Sequence, residues 1–112
     1  MPRHKTWVEV SKRALLANYE AMRALVAPTQ VMAVVKANAY GHGLVEVASA
    51  LQDAQVPWFG VDWADEALTL RANGISAKIL VLGYTPADRM KELVDAEISF
   101  VVYTQAMLEA AS

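Results

Sequence analysis

Four apolar runs, "VMAVV" from Val31, "WFGV" from Trp58, "KILVL" from Lys78 and "ISFVVY" from Ile98, recur along the chain, the last three about 20 residues apart. None alternates polar with apolar, so each predicts a strand buried on both sides, as in a parallel sheet. Helical segments fill the intervals. Asp62 is placed to cap a helix through "WADEALTLRAN" that Gly74 closes. In "TPAD", Thr85 is the expected cap, Pro86 the first helical residue, and Asp88 a carboxylate at the positive end of the dipole. Thr104 is set to open a further helix. Ahead of the first run, "TWVEV" alternates as a short strand with one exposed face does. Ser11 then caps a helix carrying Leu15, Tyr19, Met22 and Val26 at helical spacing, and Pro28 stops it.

Strands and helices in this alternation predict right-handed βαβ units and a parallel sheet covered on both faces. Four units make either a small doubly wound domain or half of an eight-stranded barrel, which takes about 250 residues. The last segment, "TQAMLEAAS", runs barely two turns and has no glycine, proline or basic cap, as expected of a chain that stops mid-architecture. The expected fold class is therefore α/β: four βα units of a TIM (β/α)8 barrel, a half barrel with parallel strands, preceded by a short strand and a helix. Its two open edges would invite association.

With 55% hydrophobic residues in 112, the chain has material for one core. Ten basic against twelve acidic side chains leave a formal charge of −2, without the concentrated positive field that nucleic acid or an anionic membrane requires. The one basic cluster, Arg3-His4-Lys5, reads as a frayed terminus. There is no cysteine, hence neither a disulfide nor a thiolate metal site. No apolar run approaches the roughly 20 residues of a membrane span, and "MPRHKTWVEV" lacks a signal peptide's apolar centre. A cytoplasmic location is expected.

Ligands of parallel α/β sheets bind at the carboxyl ends of the strands, and "AVVKANAYGHG" (33–43) puts Lys36 at such an end. An ammonium buried there would tend to lose its proton and become a nucleophile fit for Schiff-base chemistry. A lysine that snorkels to solvent is the other reading. Tyr40 could donate to a phosphate or cover the sheet end. The Gly41-His42-Gly43 turn would bring backbone close to a ligand, and His42 is acid, ligand or turn residue. No carboxylate or histidine cluster supports a metal. Trp58, Phe59 and Trp63 read as core, and "ADE" at 64–66 as a solvated first turn.

The stretch "AVVKANAYGHG" resembles the signature of fold-type III alanine racemases. "TWVEVSKRALLANYEAMR" resembles the N-terminal segment of that family, "DWADEALTLRANGISAKILVLGYTP" its second helix and third strand, and "VVYT" its fourth strand, so the likeness runs through nearly the whole chain. It implies pyridoxal 5'-phosphate carried as a Schiff base on Lys36, which also serves as one of two acid/base groups. It implies Tyr40 hydrogen-bonded to the cofactor phosphate and Leu82 packed near the cofactor, with no metal. The substrate implied is alanine, interconverted between its L and D forms, in a full-length parent that is a homodimer of a barrel followed by a β domain. Residues 1–10 would pair with that distant domain, and 11–112 would form the first half of the cofactor-binding barrel. The second base, a tyrosine from the partner subunit, and the arginine facing the pyridine nitrogen belong to segments beyond this chain. The isolated chain is accordingly expected to be inactive. A non-catalytic cofactor-binding module and a self-associating half barrel are the alternatives.

Overall fold

A computed structural model describes residues 4–112; Arg3 and the two residues before it lie outside the described residues. Helix α1 (Lys12–Val26) comes first, and Ser11 Oγ caps it by accepting the Ala14 N–H at 3.1 Å. Strands β1 (Met32–Val34), β2 (Trp58–Val61), β3 (Lys78–Val81) and β4 (Ser99–Phe100) follow. They pair in the order β1-β2-β3-β4, every pair parallel. Between them lie a single helical turn, α2 (Lys36–Tyr40), and helices α3 (Leu44–Asp53), α4 (Ala64–Ala72) and α5 (Ala87–Asp95), with α6 (Gln105–Ala111) last. Thr104 caps α6 as expected, accepting the Met107 N–H at 3.1 Å.

Strand order decides between the two architectures. Right-handed crossovers that always step to the next strand in the same direction leave all their helices on one side of the sheet, as in a barrel wall. A doubly wound sheet reverses direction midway. Here the order never reverses. Phe59, Val61, Ile79 and Val81 turn to the helices and are fully buried against Leu51 of α3, Leu70 of α4 and Leu93 of α5. The opposite face is concave and half open: Val34 is 41% exposed and Leu82 37%. The sheet is thus covered on one face among the described residues, which corrects the two-sided cover expected of these apolar runs.

Three local expectations shift. Trp7–Val10 carries no ladder hydrogen bonds among the described residues, and Trp7, Val8 and Val10 stay exposed. Asp62 does not cap α4, because Trp63 takes the extended N-cap conformation one residue later. Thr85 does not cap α5 either: Pro86, at φ −63° and ψ 150°, occupies the N-cap, and the Thr85 hydroxyl is fully buried without a hydrogen-bond partner among the described residues. Gly74 ends α4 as predicted, at φ +84°, the left-handed conformation glycine tolerates best.

The amino ends of the strands are bound by two side chains. Arg71 of α4 donates to four carbonyls: Ile75 O (2.8 Å), Ala77 O (2.7 Å), Ala96 O (2.9 Å) and Glu97 O (2.9 Å). Gln52 of α3 accepts the Ser76 and Ala77 N–H groups at 2.7 and 3.0 Å and donates to Gly74 O at 3.1 Å. A planar guanidinium fork is what lets one side chain satisfy four acceptors. Arg71→Ala is expected to lower the unfolding free energy by about 2–4 kcal/mol, and Arg71→Lys to restore less than half of it. Urea denaturation of the three chains measures this, and equal midpoints would remove the clamp from the account.

Candidate functional site

At the carboxyl end of β1 the backbone changes hand. Val35 still donates to Gly60 O at 2.8 Å, continuing the ladder. Then Ala37, Asn38, Ala39 and Tyr40 take φ of +53°, +56°, +54° and +55°. With ψ of 42° to 46° over Ala37–Ala39, α2 is a left-handed turn, not the right-handed helix its alanines would favour. For L-residues this conformation costs roughly 1–2 kcal/mol each, somewhat less for asparagine. Such strain persists only where surrounding contacts over-determine it.

Those contacts are present at both ends of the turn. Within it, Ala39 donates to Val35 O at 2.8 Å and His42 N to Ala39 O at 3.1 Å. Asn38 closes the far end. Its backbone carbonyl accepts the Gly43 N–H at 2.9 Å, and its side-chain Oδ1 accepts the Leu44 N–H at 2.8 Å, capping α3 from outside that helix. His42 Nδ1–H donates to Ala39 O at 2.9 Å, so of its three readings the structure supports the turn residue. At the near end, Glu66 Oε2 accepts the Ala37 N–H at 2.9 Å, and its Oε1 accepts the Asp62 N–H at 2.8 Å. Glu66 belongs to the first turn of α4, and the carboxylate read as solvated is instead a bridge between two βα loops.

The third loop joins through glycine. Gly83 donates to Asp62 O at 3.0 Å, and a Cβ at Gly83 would stand 2.3 Å from that same oxygen. Only a residue without a side chain permits this approach. Between α4 and α5, Arg89 donates to Asp65 at 2.6 Å and to Glu92, and these two carboxylates push its pKa up.

Lys36 opens onto a cleft on this rim, lined also by Ala37, Asp62, Trp63 and Glu66. Its side chain is half-buried, and no ion pair or hydrogen bond holds the ammonium among the described residues. The desolvation supposed for a strand-end lysine is therefore only partly realised. Tyr40 stands on the turn that Lys36 begins, 62% exposed, and does not line the cleft. Leu82 lies on the concave face, its Cδ1 3.0 Å from where a Cβ of Gly60 would be, together with Met32 Sδ and Val34 Cγ2. The cleft thus joins Lys36 to two carboxylates, with Tyr40 and Leu82 outside its lining. Trp63 is 49% exposed there, a correction to its reading as core; Trp58 is half-buried, with the Lys78 ammonium 5.3 Å above its ring. Phe59 is core as expected. No group of His, Asp and Glu suited to a metal occurs among the described residues. An untethered primary amine and an exposed phenol one short turn apart form a donor set that fits an aldehyde bearing a phosphate.

Two site residues escape sequence reasoning. Asn38 carries a weak signal, since asparagine tolerates the left-handed region. Glu66 carries the helix-start pattern of an acidic residue in the first turn but nothing that names a partner 29 residues away.

Comparison with known proteins adds the following. The family model "Alanine racemase, N-terminal domain" matches residues 10–112. An alanine racemase of Desulfosudis oleivorans is 45% identical over 107 residues, which is 95% of this chain and 27% of that protein. A serine/alanine racemase of Enterococcus gallinarum is 50% identical over 86 residues, covering 76% of this chain and 12% of that protein. The crystal structure of alanine racemase from Bacillus anthracis with bound L-Ala-P superposes with a TM-score of 0.92 at 34% identity, over 99% of this chain and 29% of that one. The chain thus spans less than a third of each of these relatives.

The left-handed turn reverses an ordinary substitution rule. Ala37→Gly is expected to leave the unfolding free energy unchanged or raise it by up to about 1 kcal/mol, whereas Ala21→Gly in the middle of α1 lowers it by about 1 kcal/mol. Thermal or urea melts of both variants check the sign, and a loss at Ala37 equal to that at Ala21 would contradict the turn's handedness.

Proposed function

This chain belongs to the alanine racemase N-terminal domain family, and on that premise we propose that it is the first half of a racemase barrel, bearing the amine that holds pyridoxal 5'-phosphate. The observation that carries the proposal is Lys36: an untethered amine opening on a cleft at the carboxyl rim of a parallel sheet. When bound, the cofactor supplies an electron sink for the charge left as an amino acid's Cα proton departs. Lys36 would hold the cofactor through Nζ and, as a free amine, would take or return the Cα proton on one face. The Tyr40 hydroxyl donates to a phosphate oxygen. Leu82 offers an apolar surface beside the cofactor.

The substrate we propose is alanine, interconverted between L and D forms, with the second acid/base group supplied from the other face by a partner subunit in a full-length, cytoplasmic homodimer. Residues 11–112 are then the barrel half, and residues 1–10 would pair with a β domain as a strand. No helix of the described residues is long and apolar enough to cross a membrane. One proton-transferring group serves one face, so this chain by itself is proposed to turn over alanine little or not at all.

Incubation with pyridoxal 5'-phosphate, borohydride reduction and peptide mass mapping test the assignment. The expected adduct falls on Lys36 and is absent in Lys36→Ala. Equal labelling of Lys12, Lys78 and Lys91 would count against it. Chiral chromatography of alanine treated with the wild-type chain and cofactor is expected to show at most a trace of inversion; turnover approaching that of a complete racemase would overturn the one-sided site.

A further inference from the structure

We propose that Glu66 is the positioning residue for Lys36, a two-pronged carboxylate latch that sets the direction in which the lysine leaves the sheet. The inference rests on the reading of Lys36 as the cofactor-bearing amine. Two peptide N–H groups from different βα loops converge on one side chain, Ala37 N at 2.9 Å and Asp62 N at 2.8 Å. The first is the peptide that joins Lys36 to Ala37, so whatever fixes its plane fixes the exit of the lysine's own backbone. No other side chain accepts that N–H among the described residues, and the chain immediately beyond it enters four consecutive left-handed residues. Strain of that size needs an anchor at its origin, and hydrogen bonds to an ionised acceptor are about twice as strong as neutral ones.

The latch also has a fixed base. Asp62, held by the second prong, accepts from Gly83 at 3.0 Å, so the carboxylate registers the β1 loop against the loops of β2 and β3. Glu66 itself extends from α4, whose Ala64, Ala67 and Leu70 are buried in the core. It lines the same cleft as Lys36 but forms no ion pair among the described residues. Its role is to hold backbone, leaving the lysine amine free.

Glu66→Gln separates positioning from bulk. The amide keeps the shape and one acceptor, but its NH2 must face one of the two N–H donors, so one prong becomes a donor–donor contact. Amide hydrogen exchange of the cofactor-free chain is expected to show Ala37 or Asp62 losing protection at least about tenfold, while Phe59, Ile79 and Val81 in the sheet keep theirs. Borohydride trapping with pyridoxal 5'-phosphate is expected to show the Lys36 adduct, normalised to Lys78 in the same chain, falling about tenfold, with the urea midpoint moving little. Glu66→Asp, which retains two acceptors on a shorter arm, is read in the same way should Glu66→Gln not fold.

Unchanged exchange at both amides overturns the latch. So does an unchanged Lys36 to Lys78 ratio in a folded variant whose midpoint has dropped, since that is a structural role alone. If the wild-type chain itself gives no Lys36 adduct, the reading of Lys36 falls and the positioning claim falls with it; the amide exchange still decides whether Glu66 holds the turn.

Discussion

Parallel pairing of β1 to β4 aligns every strand in one direction, and from that alignment the division of labour in the molecule follows. All carboxyl ends reach one rim and all amino ends the other. The helices return along the convex side, where Phe59, Val61, Ile79 and Val81 seal the core. Loops leading into helices can then vary and carry strain without disturbing the ladder, because the ladder's hydrogen bonds end just before they begin.

The two rims are built by opposite means. On the amino rim, long neutral and cationic side chains reach backbone: Arg71 satisfies four carbonyls, and Gln52 ties Gly74, Ser76 and Ala77 to α3. Two of the carbonyls held there, Gly74 and Glu97, belong to single left-handed residues that follow helices, not to a run of them. On the carboxyl rim, Glu66 and Asn38 clamp the two ends of a turn that is unfavourable by itself. The longest run of backbone strain thus lies beside Lys36, on the rim away from the Arg71 and Gln52 clamps.

Much of the frame was legible because its causes are local. Apolar runs without alternation mark parallel strands, and a hydroxyl ahead of a helical stretch marks a cap, as at Ser11 and Thr104. The place of Lys36 at a strand end was legible from the apolar run before it; the role proposed for it comes from the family resemblance. The handedness of "KANAY" was not legible, because alanine-rich composition scores a right-handed helix and propensity carries no information about the sign of φ. Glu66 was misread for another reason. A carboxylate in a first helical turn has a sufficient local explanation in the dipole, and its actual partners come from loops that only the folded sheet brings near. Thr85 and Asp62 were misplaced by one residue, the ordinary uncertainty of a helix start. The cover on one face instead of two follows from strand order, which apolar runs do not encode.

The turn after Lys36 is, in its dihedral angles, the mirror image of an ordinary helical turn. A D-residue placed at 37 or 39 would find there the backbone basin it prefers, and the L-residues that occupy it sit in the other enantiomer's conformation. Chirality is thus set against the chain over four consecutive residues directly after Lys36. A ranking of replacements for these positions by helix propensity would mislead: glycine and asparagine, poor in an ordinary helix, suit this basin, while β-branched residues and proline suit neither.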